Sequence, residues 1–131
     1  MSKNALVTGG AGFIGSHLTE ALLAQGHRVT VVDNLACGRR ENLPNHENLT
    51  FMEVDICDRD ALKLCFEGVD WVFHLAGLAD IVPSIENPSA YFSANVEGTL
   101  NVLEFAQAAG VKRFVYAASS SSYGVPETYP T

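Results

Sequence analysis

The segment Gly10-x-Gly12-x-x-Gly15 narrows the possible folds more than any other feature of the chain. It follows a short apolar run, Ala5-Leu6-Val7-Thr8, that stops at Gly9-Gly10 as a buried strand would. It opens a stretch, residues 12–25, in which Phe13, Ile14, Leu18, Ala21 and Leu22 are spaced for one helical face. Gly26 stands where a C-terminal cap belongs. A strand, a glycine turn and a helix in immediate succession form the first part of a βαβ unit. That unit demands a parallel sheet.

The rest of the chain continues the alternation. Arg28 to Val32 reads as a β-branched strand ending at Asp33, followed by a polar loop from Asn34 to Asn48. Thr50 to Val54 reads as a third strand, Asp58 to Glu67 as a helix capped by Asp58, and Val69 to Leu75 as a fourth strand. Residues 79–87 look irregular. Pro88 to Ala109 carries a long helical pattern, with Pro88 near its first position and Gly110 just past its end. Lys112 to Ala117 reads as a fifth strand, and the chain is turn-forming and polar from Ser119 to a loop-like end at Pro130 and Thr131. No repeat or interdomain linker interrupts this order. The expected fold is a doubly wound α/β sheet in the order 3-2-1-4-5, with a ligand at the switch point between strands 1 and 4. At 131 residues the chain is domain-sized.

The glycines have separate jobs in such a loop. One makes the turn, one lets the backbone approach a pyrophosphate, and one lets helix pack on strand. The free N–H groups at the helix start then face the phosphate charge. Asp33 lies eighteen residues beyond Gly15 at the next strand end, where the dinucleotide fingerprint asks for an acid. Its carboxylate suits a ribose diol and repels a 2′-phosphate, which points to NAD over NADP. Arg39 and Arg40 argue the other way, since a guanidinium accepts a 2′-phosphate; they are read as a solvated loop pair.

Charge excludes other partners. Eight Lys and Arg stand against 15 Asp and Glu, so the chain has no basic footprint for nucleic acid or an anionic membrane. No apolar run nears the ~20 residues of a membrane span. MSKNALVTGG has no signal-peptide core. Cys37, Cys57 and Cys65 are an odd set without a CxxC pair, which fits free thiols in the cytoplasm. No cluster has metal-ligand spacing, so no metal is expected.

Other strand ends carry further candidates. Asp55 can hydrogen-bond an adenine amino group while Ile56 walls the ring, or it is a turn carboxylate. Small residues at Leu75-Ala76-Gly77 let backbone run beside a ligand. His74 reads as a core histidine rather than a base. Asn95, a poor helix-interior residue, asks for a ligand contact, a backbone contact or an exposed face. The hydroxyls of Ser119, Ser120, Ser121 and Ser122 fall at the carboxyl edge of the sheet, where substrates sit, or form a flexible loop.

Thr8-Gly9-Gly10-Ala11-Gly12-Phe13-Ile14-Gly15, Asp33-Asn34, Asp55-Ile56, Leu75-Ala76-Gly77, Asn95-Val96-Glu97-Gly98-Thr99 and the serine run with Tyr123-Gly124 occur in this order. Together they resemble the NAD-dependent sugar epimerase/dehydratase family, the extended short-chain dehydrogenases, and within it the UDP-sugar 4-epimerases. The resemblance implies an NAD-binding Rossmann domain over residues 1–131. Phe13 and Ile14 would turn their N–H groups to the pyrophosphate. Asp33 and Asn34 would meet the ribose, and Asp55 and Ile56 the adenine. Leu75, Ala76 and Gly77 would line the middle of the cofactor, and Asn95 would support the nicotinamide side. Ser119 would assist catalysis, and with Ser120 and Ser121 it would line the sugar pocket. Family dehydratases carry Thr-Asp-Glu at those three positions, so the serines favour an epimerase.

The resemblance also implies a mechanism and an absence. A tyrosinate takes a sugar hydroxyl proton as hydride passes to NAD, the 4-keto sugar rotates, and hydride returns to its other face. The family's base is the Tyr of Tyr-x-x-x-Lys, and no such motif occurs: Tyr91 meets Asn95, Tyr116 meets Ser120 and Tyr123 meets Glu127 four residues on, Tyr129 has no residue that far on, and the last Lys is Lys112. The expectation is therefore a domain cut short of its catalytic helix and substrate part, inactive alone, with an exposed fifth strand and marginal stability. The whole protein would be a homodimer acting on a UDP-sugar. Rival readings are a non-catalytic NAD(P) sensor or scaffold, and a dehydratase or reductase of the same family.

Overall fold

The computed structural model describes residues 1–125 and 128. The loop-like end expected at Pro130 and Thr131 lies outside the described residues, as does Glu127. Five parallel strands, β1 (Asn4–Thr8), β2 (Arg28–Asp33), β3 (Leu49–Glu53), β4 (Trp71–His74) and β5 (Arg113–Tyr116), form one sheet in the order β3-β2-β1-β4-β5. That is the expected doubly wound order.

Strand periodicity builds the layers. Side chains alternate across a strand. Ala5, Val7, Val29 and Val31 therefore fall on one face, where they pack with Leu22 and Leu23 of helix α1 (Phe13–Ala24). Leu6, Val32 and Val72 fall on the other face. There they meet Leu62 of α2 (Arg59–Leu64) and Val102 and Ala106 of α5 (Gly98–Ala108). Both faces are covered, which explains why these strands read as continuous apolar runs.

Caps end the helices where the sequence indicates. Gly26 and Gly110 adopt φ of +79° and +69°, the left-handed turn that a Cβ disfavours. Asp58 caps α2 by accepting the N–H of Ala61 at 3.2 Å. α2 is shorter than expected, ending before Cys65.

Two segments depart from expectation. Residues expected to be irregular contain α3 (Ile81–Glu86), whose Pro83 lies in the first turn. A first-turn proline removes an N–H that has no partner inside the helix, so it is tolerated there. The long helix is also not uniform. It runs as α4 (Pro88–Phe92), a π-helical stretch (Ser93–Glu97) and then α5. β5 lies at the sheet edge, with Val115 and Tyr116 half exposed, as expected of that strand.

Candidate functional site

A cleft of about 430 Å³ opens at the carboxyl ends of β1, β2 and β4. The strand order reverses between β1 and β4, and such a reversal leaves a crevice between diverging connections. The glycine loop forms its floor. Gly9 holds φ +67°, and a Cβ there would lie 2.7 Å from the Ala76 nitrogen. A Cβ on Gly15 would lie 2.3 Å from the Gly9 carbonyl oxygen, so α1 packs directly on the turn. Gly12 differs: it lines the cleft, and its Cβ would meet only the Gly9 oxygen at 3.3 Å. Gly12 is also the N-cap of α1 and offers no side chain to the first-turn N–H groups, which are left for an anion. These are the features that a diphosphate requires, and the residues present fit one.

Asp33 is buried at the end of β2. One carboxylate oxygen accepts the Ala11 N–H at 3.0 Å and the other accepts the Leu35 N–H at 2.8 Å. Asp33 thus ties the glycine loop to the turn after β2, and it also lines the cleft. Leu35 takes φ +59° to make this turn, a strained conformation for a residue with a Cβ. Asn34 donates to the Asp55 carboxylate at 2.9 Å, joining the ends of β2 and β3. The N–H of Cys57 donates to Asp55 at 2.8 Å and holds its carboxyl below the ordinary carboxylate range. Asp55 is therefore an acceptor in neutral solution.

Ile56 reaches the cleft but is largely a core residue. It is buried, and a Cβ on Gly98 would lie 2.5 Å from its Cδ1. Leu75, Ala76 and Gly77 form the opposite wall. Asn95 makes the backbone contact that was one of its three options: it accepts the Leu78 N–H and donates to the Leu78 carbonyl, each at 2.8 Å. Its side chain would stand 3.0 Å from a Cβ on Gly77. Asn95 therefore shapes the wall from behind rather than lining it.

Phe13 and Ile14 have exposed side chains and do not line the cleft, so only their backbone is placed at the helix start. Ser119, Ser120 and Ser121 are exposed and also stand outside the lining set. Ser119 caps the short 3-10 turn Ser120–Tyr123, accepting the Ser121 N–H at 3.2 Å. Tyr91 is no ready base, since burial and the Asp80 charge push its phenol up. Among the described residues no group of His, Cys, Asp and Glu is placed to hold a metal.

Several cleft residues carried no sequence signal. Cys37 and Cys57 both line it. Burial, reinforced by the Asp55 charge, pushes the Cys57 thiol to about 11, and its Sγ lies 3.3 Å from the Ser93 carbonyl. The loop after β2 is bound down onto the glycine turn, because the Ala11 carbonyl accepts from Arg39 N–H at 3.0 Å and Asn42 Nδ2 at 2.8 Å. Arg40, one of the two loop arginines, lies over the Phe51 ring at 5.1 Å.

Comparison with known proteins gives the family of the chain. Residues 5–131 match the sequence model of the NAD dependent epimerase/dehydratase family. A UDP-glucose 4-epimerase of Yersinia enterocolitica is 41% identical, over 95% of this chain and 39% of its own length. A UDP-glucuronic acid decarboxylase 1 of Danio rerio is 40% identical, over 98% of this chain and 30% of its own. The structure of Thermus thermophilus UDP-glucose 4-epimerase in complex with NAD superimposes with a TM-score of 0.88 and 42% identity, over 98% of this chain and 42% of that one. The chain thus spans about two-fifths of the length of the epimerases it matches. With its fold, its glycine cradle and its acidic strand ends in place, the chain belongs to the NAD dependent epimerase/dehydratase family.

Proposed function

We propose that the chain forms the dinucleotide-binding part of an NAD-dependent UDP-sugar 4-epimerase. The observation that carries this is the cleft itself: a phosphate cradle at Gly9, Gly12 and the α1 N-terminus, with two carboxylates, Asp33 and Asp55, on the adjoining strand ends. Asp33 would accept from the adenosine ribose. Asp55, kept ionised and steadied by Asn34, would accept from the adenine amino group. Leu75, Ala76 and Gly77 would exclude water along the cofactor's middle. When bound, NAD would supply reversible hydride chemistry to a sugar held beside it. Ser119 would hydrogen-bond the reacting sugar oxygen, with Ser120 and Ser121 beside it.

On this reading the 131 residues supply the NAD cleft without a Tyr-x-x-x-Lys pair, and the isolated chain would bind NAD without turnover. Two measurements test this. Calorimetric titration should show saturable NAD binding, and UDP-galactose incubated with the purified chain should yield no UDP-glucose. Epimerisation by the 131 residues alone would remove the second half of the proposal.

The decarboxylase relative favours a second reading, a decarboxylase acting on UDP-glucuronic acid. The serines at 119–121, where family dehydratases carry Thr-Asp-Glu, count against a dehydratase and leave the epimerase and decarboxylase to be separated by assay with each UDP-sugar. A homodimer is supported by the exposed apolar residues Phe92, Val96, Leu100 and Leu103, which run from α4 through the π-helical stretch into α5. Free thiols at Cys37, Cys57 and Cys65 support a cytoplasmic setting.

A further inference from the structure

His74 is sealed inside the sheet, 1% exposed, at the end of β4. It faces Thr8 in the parallel register of β1 and β4. Its Nδ1 lies 2.6 Å from Thr8 Oγ1, and its Nε2 lies 2.9 Å from Oγ1 of Thr99 on α5. Thr8 Oγ1 also accepts two backbone N–H groups at 3.2 Å, those of Leu75 and Ala76. The Leu75 N–H is shared with the Thr8 carbonyl at 3.1 Å.

These contacts favour one arrangement of the protons shared by Thr8 and His74. A threonine hydroxyl has one proton and two acceptor sites. The Ala76 N–H and the shared Leu75 N–H both approach the acceptor side of the hydroxyl, which directs its proton to His74 Nδ1. Nδ1 is then an acceptor, the neutral ring carries its hydrogen on Nε2, and Nε2 donates to Thr99. A doubly protonated ring would set a donor against the Thr8 hydroxyl and displace one of the N–H groups. The rings of Phe114 and Tyr116 on β5 pack at 6.1 and 5.6 Å, and among the described residues no carboxylate bonds either nitrogen. Burial pushes the imidazole down to about 4, consistent with the neutral form.

The segment held this way is the cleft wall. Leu75 and Ala76 line the cleft, and their backbone is the neighbour that a Cβ on Gly9 would strike. A shift of Ala76 therefore disturbs the wall and the phosphate turn together. We propose that His74 is a positioning residue for the dinucleotide, acting through a one-directional Thr8–His74–Thr99 hydrogen-bond chain that sets the Leu75–Ala76 backbone against the glycine loop. This rests on the NAD-binding reading above.

The test uses nitrogen NMR of the imidazole and NAD titration of the same protein. At neutral pH His74 should show a pyridine-type Nδ1 and a pyrrole-type Nε2, unchanged down to about pH 5 given its lowered pKa. Thr8→Val, which removes the hydroxyl at nearly constant shape, should weaken NAD binding roughly tenfold or more, about 1.4 kcal/mol, and abolish the tautomer preference. Thr8→Ser should restore both. Thr99→Val lies outside the cleft lining and should weaken binding roughly threefold, which keeps the test open if Thr8→Val does not fold. An Nδ1–H tautomer, a His74 titrating in the ordinary histidine range, or NAD binding indifferent to both Val variants would overturn the positioning role. Absence of NAD binding by the parent protein would overturn the cleft reading beneath it, whatever the tautomer.

Discussion

Substituting alanine for each of two glycines in the same loop should damage the protein in two different ways. At Gly15 an added Cβ would sit 2.3 Å from the Gly9 oxygen and 2.6 Å from the Gly10 Cα, both backbone atoms. Ordinary contact begins at 3.4 Å, so α1 must retreat by about 1 Å from a turn held by β1 and Asp33. Overpacking of this kind costs about 3 kcal/mol when the neighbour is rigid. The gain in helix propensity from Gly to Ala offsets about 1 kcal/mol. The net loss of about 2 kcal/mol lowers the melting temperature by about 8 °C for a chain of this size. At Gly12 φ is −76° and the single close contact, 3.3 Å, is relieved by tenths of an ångström. Stability should hold there to within ~0.5 kcal/mol, as for a surface substitution. The new methyl projects into the cleft, so NAD affinity should fall tenfold or more, about 1.4 kcal/mol. Thermal melts and calorimetric titration of both variants separate the two effects. A Gly15→Ala protein that melts like the parent, or a Gly12→Ala protein that binds NAD undiminished, refutes the packing logic.

Other consequences are as direct. Asp33→Ala strands the Ala11 and Leu35 N–H groups, costs about 1–3 kcal/mol in denaturant unfolding, and narrows the preference for NAD over NADP; an unchanged ratio counts against the ribose role. His74 takes up a proton near 6.5 when unfolded but only near about 4 when folded, so the unfolded state binds more protons between those values and stability falls as pH drops through that window. The ceiling is about 3 kcal/mol, and a His74→Gln protein should show a flatter unfolding free energy from pH 7 to 4; an equal slope contradicts the assignment. Leu100→Glu, in the exposed apolar set, should convert a dimer to monomer in sedimentation, and a monomeric parent disposes of that interface.

The fold was largely legible because its signals are local. Strand runs, helical spacing and the caps at Gly26, Asp58 and Gly110 each depend on residues close in sequence. The order β3-β2-β1-β4-β5 followed from strand–helix alternation. α3 was hidden because Pro83 reads as a helix breaker unless its first-turn place is known. The site was legible as a set of positions and not as a set of contacts. Asp33 could be placed at a strand end, but its grip on Ala11 and Leu35 depends on the folded loop. Asn95 was visibly misplaced in a helix, and only the π-helical stretch and Leu78 explain it. Ile56 was read as a ring wall; it lines the cleft, and the missing side chain of Gly98 also lets it sink into the core. His74 was placed in the core, yet nothing local to it names Thr8 or Thr99 as its partners.

The central claim is that this cleft holds NAD by its adenosine end, with Asp33 selecting against a 2′-phosphate. Parallel calorimetric titrations of NAD and NADP into the protein test it most directly. One site per chain is expected, with NAD tighter by roughly tenfold or more, the scale of one lost charge-assisted hydrogen bond. NADP binding as tightly as NAD, or no saturable binding of either, would contradict it.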